Sequence, residues 1–243
     1  MPFSYRFYRR FWEGIDWLFP PECAGCGKFG ERLCEMCRQQ VEALLPPVCS
    51  ICGLPLRGEG DICPDCVAGK PYEALRSAAW YNGVLRQSVI NLKYKRDLGL
   101  GDTLAELLLE VVRQHEWSVD GVVAVPLGRR RLRERGYNQA AMLAYPLALA
   151  LGVPYGRGVL SRPRETESQV HLSAEERRQN LAGAFQADGR RAAGKSWLVV
   201  DDVTTTGATM ENCALALKAA GAQRVMGLTV ARAGKFLQTA DNT

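Results

Sequence analysis

Two groups of side chains in this sequence are spaced for chemistry. The first is the carboxylate pair Asp201 and Asp202, which ends the apolar run "WLVV" and is followed closely by Thr204, Thr205, Thr206, Gly207, Ala208 and Thr209. The second is a set of eight cysteines in four Cys-x-x-Cys pairs, "CAGC", "CEMC", "CSIC" and "CPDC".

An apolar, β-branched run that stops at a Thr/Gly cluster reads as a strand entering a turn. In an open α/β sheet such a turn, beyond the carboxyl end of a strand, is where ligands bind. Gly207 permits tight backbone geometry, and the threonine amides and hydroxyls would surround the positive end of the following helix, which describes a phosphate cradle. Two carboxylates beside a phosphate would repel it, so they must face another group. Vicinal hydroxyls fit, because a carboxylate accepts hydrogen bonds from them. Together the spacing points to a ribose 5-phosphate, its phosphate on Thr204 to Thr209 and its diol on Asp201 and Asp202. Either half alone would mean only a solvated acidic turn with threonine caps. The chain has no GxxxxGK[ST] P-loop, and no GxGxxG follows a strand, so triphosphate-loop and dinucleotide chemistry are unsupported.

Thiolates flanking two residues grip one tetrahedral ion from a tight turn, and two such turns complete a four-cysteine zinc site. Eight cysteines therefore imply two zinc ions. A disulfide-stapled secreted domain is the alternative, but the start "MPFSYRFYRRFWEGIDWLFPP" interrupts its apolar character with Arg9, Arg10, Glu13 and Asp16 and does not read as a secretory signal. The expectation is a reduced, cytoplasmic protein. Consecutive pairing (Cys23, Cys26, Cys34, Cys37; then Cys49, Cys52, Cys63, Cys66) and a cross-braced arrangement both satisfy tetrahedral geometry, and consecutive pairing is the expected one. With no histidine and no open position, these zincs would be structural, replacing a core that about 50 residues cannot supply.

The elements must hold these groups in place. At 243 residues, 47% hydrophobic and 23% charged, the chain can bury a full core with a small appendage. Its net charge of +5 permits a polyanionic partner without requiring one. No run approaches the roughly 20 apolar residues of a membrane span. Residues from Tyr5 to Phe19 read as an amphipathic helix packing on the rest of the chain, with membrane-surface binding as the sharper alternative. "AGKPYEA" marks a boundary, giving 1–69 as an N-terminal helix plus cysteine-rich domain and 70–243 as a second domain. There, short strands ("LRSAAWY", "GVVAVP", "WLVVDDV", "RVMGLTVAR") alternate with helices ("VLRQSVINLKY", "TLAELLLEVVRQH", "NQAAMLAYPLALAL" with Pro146 inside, and Thr209 to Ala220). That alternation predicts an α/β fold with a parallel sheet covered on both faces.

"VVDDVTTTGATM" resembles the 5-phosphoribosyl-1-pyrophosphate (PRPP) motif of type I phosphoribosyltransferases. The whole chain resembles the competence protein F (ComF) family, through "WLFPPECAGCG", "YNGVLRQSVINLKYKRD", "VPLGRRRLRERGYNQA", "TESQVHLSAEERRQNLAGAF" and the PRPP motif. The resemblance implies a phosphoribosyltransferase-like domain behind a double zinc ribbon, Mg2+ bound with PRPP, and an association with DNA uptake in natural transformation. It assigns the ribose hydroxyls to Asp201 and Asp202 and the 5-phosphate to Thr204, Thr205, Thr206, Gly207, Ala208 and Thr209. Leu127, Gly128 and Arg129 match the pyrophosphate loop, where arginines replace the small residues of other transferases. "SRPRETESQVHLSAEERRQN", with a Ser173 and Glu176 capping box toward Asn180, resembles the mobile loop that closes over PRPP. It would bring Arg164, Thr166 and Gln169 over the pyrophosphate. A surface loop with a capped helix is the plainer reading of the same segment.

"GRRRLRERGYNQ" concentrates Arg129, Arg130, Arg131, Arg133 and Arg135, with Tyr137 just after. These residues could grip pyrophosphate, or track a nucleic-acid backbone with Tyr137 stacking on a base. Lys93, Lys95 and Arg96 could extend that groove or form a solvated face. Cys213 reads as a core residue, His115 as a helix-end residue and His171 as part of the supposed lid. Three readings follow: an enzyme passing a phosphoribosyl group to an acceptor with release of pyrophosphate; a non-catalytic single-stranded DNA-binding protein; and a docking protein whose zinc domain meets a DNA-translocating helicase.

Overall fold

The structure is a computed structural model that describes residues 2–56, 58, 60–163 and 183–234. Its sheet contains β1 (Ala74–Trp80), β2 (Gly121–Ala124), β5 (Ser196–Thr204) and β6 (Arg224–Arg232), all parallel, in the order β1-β6-β5-β2. The two central strands are continuous apolar runs: Trp197, Leu198, Val199 and Val200 of β5 and Val225, Met226, Leu228 and Val230 of β6 are all buried. Such runs belong to strands with both faces covered, because an alternating pattern would expose one face. A short antiparallel pair, β3 (Leu160–Ser161) and β4 (Gln186–Ala187), stands apart from the sheet.

The described helices are α1 (Phe3–Leu18), α2 (Glu35–Arg38), α3 (Gly83–Ile90), α4 (Leu100–Gln114), α5 (Arg129–Arg135), α6 (Gln139–Leu151), α7 (Gly189–Ala192) and α8 (Ala208–Ala219). On α4 the buried leucines Leu100, Leu104, Leu107 and Leu108 recur at helical spacing and form the face turned to the core. Asn138 caps α6, its side chain accepting from the Ala140 amide at 3.1 Å, and Gly152 ends it in the left-handed region. Pro146 is accommodated inside α6 as expected. Its missing N–H would have bonded to the Met142 carbonyl, and α4 packs close to that carbonyl through Gly101, where a Cβ would lie 2.5 Å from the oxygen.

The arginine run, to which the sequence reading assigned no element, forms the helix α5, ended by Gly136 at φ 83°. The helix through "VLRQSVINLKY" widens after Ile90 into a π-helical turn, Asn91–Lys95, and Arg96 then takes a left-handed conformation. Periodicity alone does not distinguish a π turn from a final α turn.

The N-terminal helix does pack on the chain. Tyr8 meets Tyr145 of α6 edge to face at 5.7 Å, Arg9 pairs with Glu106 of α4 at 3.0 Å, and Asp16 accepts from Arg32, whose Nε also reaches Asp97 at 3.0 Å. Among the described residues no helix is long and apolar enough to cross a membrane.

Candidate ribose-phosphate cleft and zinc sites

β5 delivers its carboxylates where the strand leaves the core. Asp202 is buried and Asp201 half-buried. The next amide holds each one: Asp202 N–H donates to Asp201 Oδ1, and Val203 N–H to Asp202 Oδ1, both at 2.9 Å. The Lys93 ammonium forms an ion pair with Asp202. Burial alone would pull the Lys93 pKa down, but the carboxylate of Asp202, with Asp201 behind it, more than offsets this and holds it above its ordinary value. Burial, reinforced by the neighbouring charge of Asp202, holds the Asp201 carboxyl well above the usual carboxylate range.

The threonine segment is the turn from β5 into α8. Gly207 is the residue before the helix, at φ 83°, where a β-carbon would strain the backbone and would also meet Leu75 and the Tyr72 hydroxyl at 3.4 Å. Thr206 Oγ1 accepts from the Ala208 amide at 3.4 Å. The first amides of α8 have no intrahelical acceptor and face the turn, which suits an anion.

Two cavities meet at this point. One, of about 260 Å³, is lined by Thr204 to Met210 together with Arg131 and Asp201. The other, of about 640 Å³, includes Lys93, Tyr94, Arg135, Arg162 and Asp202. They share Arg131, Asp201, Val203 and Thr209, so they form two ends of one cleft beyond the carboxyl end of the sheet. Such a polar, open-ended site, with a phosphate-binding turn at one end and cations at the other, can hold a phosphorylated sugar extended along its length.

The structure sorts the arginines by helical phase. Arg131 and Arg135, four apart on α5, both line the cleft, as does Leu127. Arg129 is exposed, Gly128 is buried, and neither lines the two cavities, so the pyrophosphate-loop positions are only partly drawn into the cleft. Arg130 is exposed and reaches Glu134 at 2.9 Å, and Arg133 is exposed away from both cavities. Tyr137 is half-buried with its hydroxyl donating to the Leu92 carbonyl, which fixes it as a structural contact rather than a free ring. Lys95 lines a separate cavity that also includes Glu22 and Cys23, whereas Arg96 lines the cleft. Arg164, Thr166, Gln169, His171, Ser173, Glu176 and Asn180 lie outside the described residues. Cys213 is buried on α8 and His115 ends α4, stacked on Trp117 at 5.5 Å.

Sequence reasoning passed over Tyr94, Arg162 and Arg232. Tyr94 had a signal, an aromatic between Lys93 and Lys95. Arg232 had none, since an arginine ending a buried strand resembles any strand end. Its guanidinium is buried and donates to the Thr205 carbonyl at 3.3 Å and to the Cys52 carbonyl.

The cysteines form two groups paired consecutively, Cys23, Cys26, Cys34, Cys37 and Cys49, Cys52, Cys63, Cys66, each with its sulfurs within 4.8 Å of one another. Separations of 3.6 Å (Cys23 to Cys34, Cys52 to Cys63) and 3.7 Å (Cys26 to Cys34) are far beyond a disulfide's roughly 2.05 Å. They match the edge of a tetrahedron with zinc–sulfur bonds of about 2.3 Å, which is about 3.8 Å. Corresponding amides serve both groups: Cys34 N–H points to Cys23 Sγ at 3.4 Å and Cys63 N–H to Cys49 Sγ at 3.3 Å. Burial opposes ionisation of Cys23 and Cys49, but such amides outweigh it and bring each thiol down to about 6, so each supplies a thiolate at neutral pH. The donor sets fit two structural zinc ions.

The second group is joined to the sheet. Leu75 of β1 donates its amide to the Ile51 carbonyl at 2.7 Å, and Arg76 reaches the carbonyl of Ser50 at 2.8 Å. Arg232 completes the connection between Cys52 and the threonine turn.

Comparison with known proteins agrees with this arrangement. Residues 14–67 match the double zinc ribbon domain family, and residues 100–236 match the phosphoribosyl transferase domain family. The chain is 34% identical over 213 residues to DNA utilization protein YhgH of Salmonella typhi, covering 79% of this chain and 93% of that protein. It is 31% identical over 214 residues to Competence protein F of Haemophilus influenzae, covering 83% of this chain and 90% of that protein. Among solved structures it is similar to a glutamine PRPP amidotransferase from B. subtilis, with TM-score 0.42 and 20% identity over 58% of this chain and 30% of that one. An adenine phosphoribosyltransferase shows TM-score 0.39 and 18% identity over 58% of this chain and 74% of that one.

Proposed function

The chain belongs to the competence protein F family, in which a double zinc ribbon precedes a type I phosphoribosyltransferase-like domain, and from that premise we propose that its cleft binds PRPP or another ribose 5-phosphate. The observation that carries this reading is the position of Asp201, which lines both cavities between the threonine turn and the arginines. The 5-phosphate takes the amides and hydroxyls of Thr205, Thr206, Gly207, Ala208 and Thr209. The ribose diol lies on Asp201, with Asp202 held beside it by Lys93. A pyrophosphate on C1 would extend toward Arg131 and Arg135.

If a phosphoribosyl group is transferred, the bond from C1 to the pyrophosphate oxygen breaks, the acceptor's electron pair forms the new bond to C1, and the electron pair of the broken bond leaves with pyrophosphate. This chain's residues contribute position and charge: the turn fixes one end of the sugar, the Asp201 carboxyl orients the diol by hydrogen bonding, and Arg131 and Arg135 stabilise the charge that develops on the leaving group. Bound with PRPP, Mg2+ would neutralise part of the pyrophosphate charge and favour the ionised form of Asp201, the carboxyl left to face that assembly because Asp202 is engaged by Lys93. The relatives' names place them in DNA utilisation and competence, and we extend to this chain a role in handling incoming DNA in a reducing, cytoplasmic setting that keeps its thiols as metal ligands.

Calorimetric titration with ribose 5-phosphate tests the site. The wild-type chain should bind, and Gly207→Val, which strains the turn at φ 83°, should lose most of that affinity while α8 stays folded by circular dichroism. Equal binding by both proteins would refute the reading.

A non-catalytic single-stranded DNA-binding role is the second reading, favoured by the row of Lys93, Arg96, Arg131 and Arg135 along one cleft. It requires that Arg131→Glu/Arg135→Glu abolish oligonucleotide binding, with the affinity of the unaltered chain falling steeply as salt rises.

A further inference from the structure

The outer wall of the cleft carries an aromatic ring that the ribose and phosphate contacts leave unused. Tyr94 follows Lys93 in the π-helical turn Asn91–Lys95. Single π turns are rare and often mark functional positions, because the wider turn redirects side chains that an α turn would place elsewhere. Arg96, next in sequence, sits at φ 59° and ψ 26°, a left-handed conformation unfavourable for a residue with a β-carbon. This unusual stretch sends Lys93 inward to Asp202, its side chain 19% exposed, and leaves Tyr94 at the cleft 72% exposed.

The ring is nonetheless held. The Arg135 guanidinium lies over it, 5.3 Å from the ring centroid, and is itself fixed by donation to Gln139 Oε1. Arg135 covers one side of the ring and the rest is open. The same cavity is also lined by the apolar residues Val125, Pro126 and Leu127. An exposed aromatic ring backed by a guanidinium, beside a phosphate-binding turn and flanked by cations, has the composition of sites that stack a nucleobase while gripping its backbone.

We infer that Tyr94, braced by Arg135, is a stacking platform for a nucleobase whose ribose phosphate occupies the neighbouring end of the cleft. The inference rests on the ribose-phosphate reading and adds the chemistry of the remaining ligand moiety. Two sources share that chemistry: the base of a free nucleotide, or an unpaired base in single-stranded DNA. Tyr137 cannot serve in its place, because its hydroxyl is committed to the Leu92 carbonyl inside the fold.

The test is titration of zinc-loaded wild type, Tyr94→Leu and Tyr94→Trp with three probes: ribose 5-phosphate, adenosine 5′-monophosphate and a 5′-phosphorylated oligothymidylate. Tyr94 is largely exposed, so both variants should fold. Tyr94→Leu should weaken at least one base-bearing probe by about tenfold or more and leave ribose 5-phosphate unchanged, while Tyr94→Trp keeps the affinity. Whether the mononucleotide or the oligonucleotide responds identifies the source of the base. If wild type binds ribose 5-phosphate but Tyr94→Leu matches it on every probe, the platform is overturned and the ribose-phosphate site stands. If wild type does not bind ribose 5-phosphate, that site is overturned and this inference falls with it.

Discussion

Arg232 and Thr205 lie at the ends of different strands, yet the buried guanidinium of one donates to the carbonyl of the other at 3.3 Å. The same guanidinium donates to the Cys52 carbonyl, so one side chain spans the second zinc site and the threonine turn. A multidentate, charged donor holding two carbonyls fixes their spacing in a way that a shorter side chain cannot.

Arg232→Ala should therefore leave two carbonyls short of a buried donor and lower stability by about 2–4 kcal/mol, read from the denaturant midpoint. It should also weaken ribose 5-phosphate binding under conditions where the variant is fully folded. Removing zinc with a chelator should reproduce the binding defect, because the Cys52 carbonyl then loses its fixed place. Undiminished binding by folded Arg232→Ala would show that the zinc ribbon does not support the turn.

Lys93 neutralises a buried carboxylate. Lys93→Met leaves Asp202 charged and unpaired in the interior, at an expected cost of about 3–5 kcal/mol. The double variant Lys93→Met/Asp202→Asn should recover much of that stability, since the charge needing a partner is gone. Comparing denaturant midpoints of the single and double variants measures the coupling, and strictly additive losses would argue against it.

Asp102 on α4 faces Arg9, Glu106 and Tyr5 at the base of the N-terminal helix. Burial raises its carboxyl to about 6, against the pull of Arg9 and with Glu106 adding to the rise. The unfolded chain titrates near 4, so between about pH 4 and 6 the folded state binds more protons and stability falls as pH rises. Two units at about 1.36 kcal/mol each bound the effect at about 2–3 kcal/mol. Asp102→Asn should thus be more stable than wild type at pH 7, with the difference shrinking toward pH 4. A difference independent of pH would contradict this assignment.

The sequence carried the parts of this molecule written in spacing or periodicity. The alternation of short strands with helices placed β5 and β6 in a parallel sheet, Cys-x-x-Cys spacing gave the metal sites, and the Asp–Thr–Gly order marked the turn at the end of β5. It could not say which arginines face the cleft. In "GRRRLRER" every plausible phase places arginine on the ligand side, and only the start of α5 at Arg129 decides for Arg131 and Arg135. The sequence offered Tyr137 as the stacking ring and passed over Tyr94, because neither the π turn that leaves Tyr94 exposed nor the Leu92 contact that engages Tyr137 is written in periodicity. Arg232 escaped notice because its partners lie far away in sequence, on a cysteine turn and a threonine turn.

The most direct measurement is calorimetric titration of the zinc-loaded chain with PRPP and Mg2+, beside the Asp201→Asn/Asp202→Asn variant. A ribose-phosphate cleft predicts saturable binding by the wild type and a loss of about tenfold or more in the variant, since it alters both carboxyls that accept from the ribose hydroxyls and even ordinary hydrogen bonds are each worth about 0.5–1.5 kcal/mol. Absence of binding by the folded wild type, or equal affinity in the two proteins, would contradict it.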